Sequence, residues 1–284
     1  MNPALPEPGI FFGVPRETYE QIRAVNYSTL KHFARSAAHY QWELLHPREP
    51  SEKQELGTAG HVGILEPSRF DEQYVKAPQF DRRTKAGKEN YAAFQAAAGD
   101  KIPLGADDYA AVCGMKESVW SGVQTPIKEM LAAPGQNEAT VVWVDADTGL
   151  YCKTRIDRIA TLGGWTWIVD LKTANNASER DFQRAIYTYR YYLQAAMHVD
   201  ALIETVGAVH RRYAYIAVEN SPPYCAAIYE LHENAVERGR AEYKLYLKEL
   251  AECQKQNHWP GYPTGIQLID LPPWAKTASD PGEI

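Results

Sequence analysis

The sequence has no run of about 18 apolar residues, the length a membrane-spanning helix needs, and its start, "MNPALPEPGIFFGVPRE", has neither the basic opening nor the apolar centre of a signal peptide. We therefore expect a cytoplasmic chain with no membrane association. Cysteine is scarce and scattered: Cys113, Cys152, Cys225 and Cys253 form no CxxC pair, which argues against a zinc site, an iron-sulfur cluster or a disulfide framework and leaves mainly free core thiols. Positive charge is also in deficit. With 30 Lys and Arg against 36 Asp and Glu, the net charge is -6, so a polyanion must be met by a local basic groove and not by the field of the whole protein. Repeats and low-complexity tracts are missing. What is there is a globular composition, 284 residues with 45% hydrophobic and 11% aromatic content, enough for a full core in one large or two small domains.

The first 26 residues are Pro-rich and read as irregular. From residue 27 we expect a single domain: a mainly helical part to 133, a sheet core with crossing helices over 134–260, and a Pro-rich tail over 261–284. A helix is predicted at "YSTLKHFARSAAHYQWELL", with Ser28 as N-cap and Pro47 and Pro50 beyond its end. "KQELGTAGHVGILEP" reads as a second helix whose three glycines cost stability but let a neighbour approach closely; it carries His61. Alanine-rich helices fill 85–133, with Pro126 suited to a first turn. The pattern then changes: "EATVVWVD", "GLYCKTRIDRIA" and "WTWIVDLKT" are β-branched and aromatic runs separated by "ADTG" and "TLGG", a three-stranded meander. Ser178 is the expected cap of one long helix to about residue 204, followed by strands "AVHRRYAYIAVE" and "YCAAIYEL" and a helix over about 232–257. This is an α/β core preceded by a helical half.

Chemistry concentrates in the meander. In "TWIVDLK", Asp170 and Lys172 share a strand face while Val169 and Leu171 take the other. If "TLGG" is a four-residue turn with Ala160 opposite Trp165, Asp157 lies opposite Ile168 and diagonal to Asp170, within about 8 Å. Two carboxylates and a lysine then meet, and such like charges need a cation, a shared proton or a cationic neighbour. A hard divalent ion with oxygen ligands suits them, magnesium or manganese, with an ammonium beside it: the chemistry of phosphodiester hydrolysis. At helical spacing, Gln183, Tyr187, Tyr191, Gln194 and His198 form a polar stripe next to an apolar face.

The order "GHVGILEP", "RIDRI", "VDLKT", "YYLQAAMH" resembles the PD-(D/E)XK nuclease superfamily, and within it the exodeoxyribonuclease VIII (RecE-like) exonucleases of phages and prophages. "YSTLKHFARSAAHYQWEL" and "RRTKAGKENYAAF" resemble the same branch, so the likeness runs from about residue 27 to 260. It implies a restriction-endonuclease-like core, a mixed central sheet with flanking helices. It also implies metal ligation by His61, Asp157, Asp170 and the main-chain carbonyl of Leu171, with Lys172 as catalytic lysine, Gln194 opening a QxxxY motif and Tyr191 near the substrate backbone. Three positions depart from the pattern: Ile156 stands in place of proline, Asp170 in place of the commoner Glu, and His198 in place of the motif's tyrosine.

The resemblance further implies a Mg2+-dependent enzyme degrading linear double-stranded DNA from an end, 5′ to 3′, for recombination in a bacterial host. A ring-shaped homo-oligomer and a single-strand annealing partner (RecT-like) belong to the same expectation. An endonuclease with the same chemistry and a catalytically silent DNA-end-binding protein are the alternatives. "DRRTKAGK" reads either as a phosphate-gripping loop, through Arg82, Arg83 and Lys85, or as a solvated helix start. Glu66 and Glu138 are within a metal's possible reach, but capping or solvation accounts for them and they stay outside the candidate set. Most of the 18 tyrosines serve packing, with a few available to stack on unpaired bases.

Overall fold

The β-branched and aromatic runs pair into a six-stranded sheet in a computed structural model that describes residues 6–47, 51–81, 83–121, 125–207 and 210–272. In chain order the elements are β1 (Gly9–Phe11), α1 (Arg16–Gln21), α2 (Tyr27–Leu30), a 3-10 turn (Lys31–Ala34), α3 (Ala37–Leu45), α4 (Glu52–Leu65), α5 (Pro67–Gln73), β2 (Tyr74–Lys76), α6 (Lys85–Ala98), β3 (Ile102–Leu104), α7 (Ala106–Ser121) and α8 (Thr125–Ala132). The second half supplies β4 (Gly135–Val144), β5 (Tyr151–Leu162), β6 (Trp165–Ala174), α9 (Glu179–Thr188), α10 (Tyr191–Val206), β7 (Arg211–Glu219), β8 (Ala226–Glu230) and α11 (Glu233–Gln256). The sheet order is β1-β4-β5-β6-β7-β8, antiparallel except for β6 and β7, which run parallel because α9 and α10 carry the chain across between them. This is the expected mixed α/β core. β2 and β3 form a separate parallel pair among helices that the alanine-rich composition had masked.

Each sheet face is covered. On one, α10 and α11 close a core through Leu193, Met197, Leu247 and Leu250 against Ile156, Ile168 and Tyr215. On the other, α4, α7 and α8 contribute Ile64, Met115 and Ile127 against Val169, Leu171 and Ile216. Strands buried on both sides explain why "WIVDL" reads as nearly continuous apolar sequence around its one aspartate.

Three expectations need correction. From residue 6 the amino-terminal segment is ordered: β1 pairs with β4, and the buried Lys153 ammonium donates to the carbonyls of Tyr19 and Ile22, both at 2.8 Å, and of Glu20 at 3.3 Å, closing the carboxyl end of α1. The predicted helix from residue 27 is two helices joined by the 3-10 turn. Asn26, not Ser28, caps the first by accepting from the Thr29 N–H at 3.0 Å, and Ser36 caps the second. The long helix after Ser178 breaks at Tyr189 and Arg190, with Arg190 left-handed at φ 57° and held by ion pairing to Glu242 on α11.

Candidate active site and metal centre

The β5–β6 hairpin turns on two residues, Gly163 and Gly164, with φ of 60° and 79°. Only glycine takes both values without strain, so the loop is shorter than the four residues expected, and Leu162 pairs with Trp165. The register therefore differs by two residues, which leaves every side chain on its expected face. Counting on from the pair Arg158 and Val169, Asp157 stands directly across from Asp170. There the ladder opens, and the Asp157 carboxylate enters the gap to accept the Leu171 N–H at 2.8 Å. A residue's N–H and C=O point to the same strand edge, so the Leu171 carbonyl faces this gap as well.

On the far side of β5, Asn137 pairs with Arg158 and Ala139 with Ile156, which puts Glu138 opposite Asp157. Glu138 is left-handed, φ 53°, a costly conformation for a side chain of this type. The kink changes the strand's facing: Asn137 reaches the Leu65 carbonyl while Ala139, two residues on, joins the α10 core. Glu138, Asp157 and Asp170 thus form a row across three adjacent strands.

The glycines of α4 bring His61 to this row. A Cβ on Gly60 would stand 3.2 Å from Thr173 of β6 and from Met115, and one on Gly63 would come within 2.6 Å of Val112 on α7. The close approach places His61 Nδ1 3.5 Å from Asp157 Oδ2. Among the described residues, His61, Glu138 and Asp157 offer ligand atoms all within 4.8 Å of one another. Burial, and next the Lys172 charge, lower the His61 pKa and keep the imidazole neutral, the form that ligates. Burial, reinforced by Asp170, raises the Asp157 pKa well above the carboxylate range, as expected of an acid waiting for a cation.

Asp170 lies deeper, fully buried, with its carboxylate on the Lys172 ammonium and Oδ1 without a hydrogen-bond partner. Lys172 donates to Gln194 Oε1 at 3.1 Å and sits 4.6 Å from the Tyr191 ring centroid. Burial works against the Lys172 charge, but Asp170 and Asp157 outweigh it and raise its pKa. The orphaned Asp170 oxygen and the raised Asp157 pKa show that the donor set fits a hard divalent cation better than it fits itself.

The structure thus brings together His61, Asp157, Asp170, Leu171, Lys172, Gln194 and Tyr191. Glu138 was left out of the expected set. Its signal was available, an acid opposite Asp157 once the "ADTG" turn is taken as the register, but its left-handed backbone has no mark in sequence. Glu66 pairs with Arg69 at 2.7 Å. The helical stripe divides at Arg190: Gln183 and Tyr187 are exposed on α9, and His198 is buried on α10 against the Tyr213 hydroxyl at 3.1 Å. Arg83 is exposed and pairs with Asp81 at 2.9 Å, and Lys85 lies 3.9 Å from Glu89. Arg82 falls outside the described residues.

The profile of the family described as "PDDEXK-like domain of unknown function (DUF3799)" matches residues 26–272. Among solved structures, a crystal structure of a "putative exonuclease" from Eubacterium rectale superposes with a TM-score of 0.60 at 14% identity, covering 92% of this chain and 96% of that one. It shares the fold. A Vibrio cholerae protein of 13% identity, covering 85% of this chain and 61% of its own, superposes at a TM-score of 0.22, too low to bear on the question. No curated protein matches the sequence significantly.

Proposed function

Because the chain belongs to the PDDEXK-like domain family over residues 26–272, we propose that it is a metal-dependent deoxyribonuclease that degrades linear double-stranded DNA from an end. The observation that carries this reading is the row of Glu138, Asp157 and Asp170 across three strands, completed by His61 from α4 and by Lys172. His61, Glu138 and Asp157, with Asp170 and the Leu171 carbonyl beside them, would hold the ion, magnesium with manganese as substitute. Such an ion neutralises charge at a phosphoryl oxygen and acidifies water.

The chain's own groups do the rest. Lys172 presents a fixed positive charge where negative charge grows on the phosphoryl group, and its position is set by Asp170, the Gln194 amide and the Tyr191 ring. Asp157 is tied to the β6 backbone through the Leu171 N–H, so the carboxylate is oriented before any ligand arrives. Neutral His61 offers a ring nitrogen without adding charge. The 5′ to 3′ polarity, the recombination role, a ring-shaped homo-oligomer, a single-strand annealing partner and phosphate contacts from Arg82, Arg83 and Lys85 extend the same reading.

The test is digestion of linear duplex labelled separately at each end, against closed circular DNA, in magnesium or EDTA, with Asp170→Ala as control. Magnesium-dependent loss of the linear substrate alone, beginning at the 5′ label and missing in the variant, is the expected result. Cutting of the circle replaces the exonuclease with an endonuclease, and binding without cutting leaves an end-binding protein.

A further inference from the structure

The break between α9 and α10 forms an aromatic rim that leads from the catalytic lysine to solvent. The Lys172 ammonium lies 4.6 Å from the Tyr191 ring centroid, and the Tyr189 ring follows at 5.5 Å, tilted by 31°. Tyr189 is 57% exposed and Tyr187, two residues earlier in the last turn of α9, is 69% exposed. The backbone that carries them is held by side chains of other elements. The Tyr27 hydroxyl donates to the Tyr189 carbonyl, and Arg190 is fixed in its left-handed conformation by Glu242, which also accepts from Tyr192 at 2.7 Å and Tyr246 at 2.6 Å. The break is therefore held by side chains, while the Tyr187 and Tyr189 rings, against Tyr192 and Tyr191 on one side, keep most of their surface exposed.

The Tyr27 ring also carries a cation. Lys31 Nζ lies 5.4 Å from the Tyr27 ring centroid, at the start of the 3-10 turn. Lys31 is half-buried, and burial, with the Lys172 charge next, lowers its pKa. Pairwise contacts connect Lys31 to the Tyr27 ring, the Tyr27 hydroxyl to the Tyr189 carbonyl, the Tyr189 ring to Tyr191, and Tyr191 to Lys172. A cation for a phosphate and an exposed ring for a base, set beside the hydrolytic lysine, have the chemistry of a single unpaired nucleotide.

We propose that Tyr189 and Lys31 form a one-nucleotide clamp, Tyr189 stacking on an unpaired terminal base and Lys31 binding the phosphate next to the one that Lys172 faces. The clamp rests on the nuclease reading and deepens it: the substrate at the site is a frayed or single-stranded terminus, not an intact base pair. Tyr189 and Lys31 are positioning residues for that terminus.

The test uses the full chain in EDTA, so that binding is read without cleavage, and duplexes carrying 2-aminopurine at the terminal nucleotide, either paired or as a one-base overhang. The overhang is expected to bind tighter and to lose fluorescence on binding. Tyr189→Ala, which keeps the carbonyl that Tyr27 holds, should abolish the fluorescence change and weaken overhang binding about ten-fold, while Tyr189→Trp restores both. Lys31→Ala should weaken binding of every sequence and lower the salt slope by about one. Equal binding of paired and overhanging ends, or quenching unchanged in Tyr189→Ala, would overturn the clamp. Cleavage by the wild type in magnesium is measured in parallel, so that failure of the nuclease reading is seen separately: a chain that quenches but never cuts keeps the clamp and loses the hydrolysis.

Discussion

Two buried aspartates on the sheet's α10 side are treated in opposite ways. Asp200, on α10, is 6% exposed, and both its oxygens are taken: Arg240 donates to them at 2.7 and 2.9 Å, and Tyr243 adds its hydroxyl. Asp170, on β6, is fully buried, has an oxygen with no donor, and faces another acid across the strand gap. The first is a closed account of charge and hydrogen bonds and holds two helices together. The second is left open in a place where openness is costly, which is what a group that must meet something from outside requires. Burial alone does not separate structure from function here; the completeness of the partner set does.

That contrast can be broken most forcefully at its cations. Lys172→Ala should lower cleavage at least about 1000-fold while circular dichroism and DNA binding stay near wild type; normal turnover in single-turnover assays would remove Lys172 from the chemistry. On the closed side, Asp200→Ala strands the Arg240 guanidinium and the Tyr243 hydroxyl, and urea denaturation should show a loss of about 2–3 kcal/mol, with cleavage retained at low temperature. Should Asp200→Ala prove as stable as the wild type but inactive, the comparison is reversed.

A finer probe is His198, whose pKa burial pushes down to about 4. Folded protein keeps it neutral where the unfolded chain takes up a proton, so its contribution is intact above the unfolded value near 6.5 and is lost as pH falls toward 4. About 3 kcal/mol should disappear over that window in the metal-free protein, and His198→Gln should flatten the slope. Smallest is Gly63→Ala, where the new methyl meets Val112 at 2.6 Å: a net loss of about 1 kcal/mol after the helix gains its propensity, read from the melting curve. A gain would mean that α4 slides freely, and that His61 is not held where the carboxylates need it.

Much of the centre was legible because strand alternation survives errors of register. The hairpin was misjudged by two residues, yet Asp157, Asp170 and Lys172 kept their face, since a shift of two restores the pleat. The glycines of α4 likewise announced a close approach before its neighbours, Thr173 and Val112, were known. What escaped depends on distant partners. Glu138 is bent by a local conformation that ordinary sequence patterns exclude, β1 is ordered by a strand more than 120 residues on, and the break at Arg190 is held by Glu242, 52 residues away. Helical periodicity runs straight through that break, because every residue near it would be content in a continuous helix.

The two-glycine turn between β5 and β6 has a consequence for how this chain tolerates change in length. Surface turns are ordinarily where insertions are accepted. This one acts as the zero mark of a ruler: five residue pairs, from Leu162 with Trp165 to Arg158 with Val169, are measured off before the strands part. An added or deleted residue at the tip would carry the error along both strands and set Asp157 against the wrong neighbour, although the tip itself contains nothing reactive. Natural variation in the length of this protein should therefore gather in other loops, and the Gly163–Gly164 turn should be the last place to attach a tag.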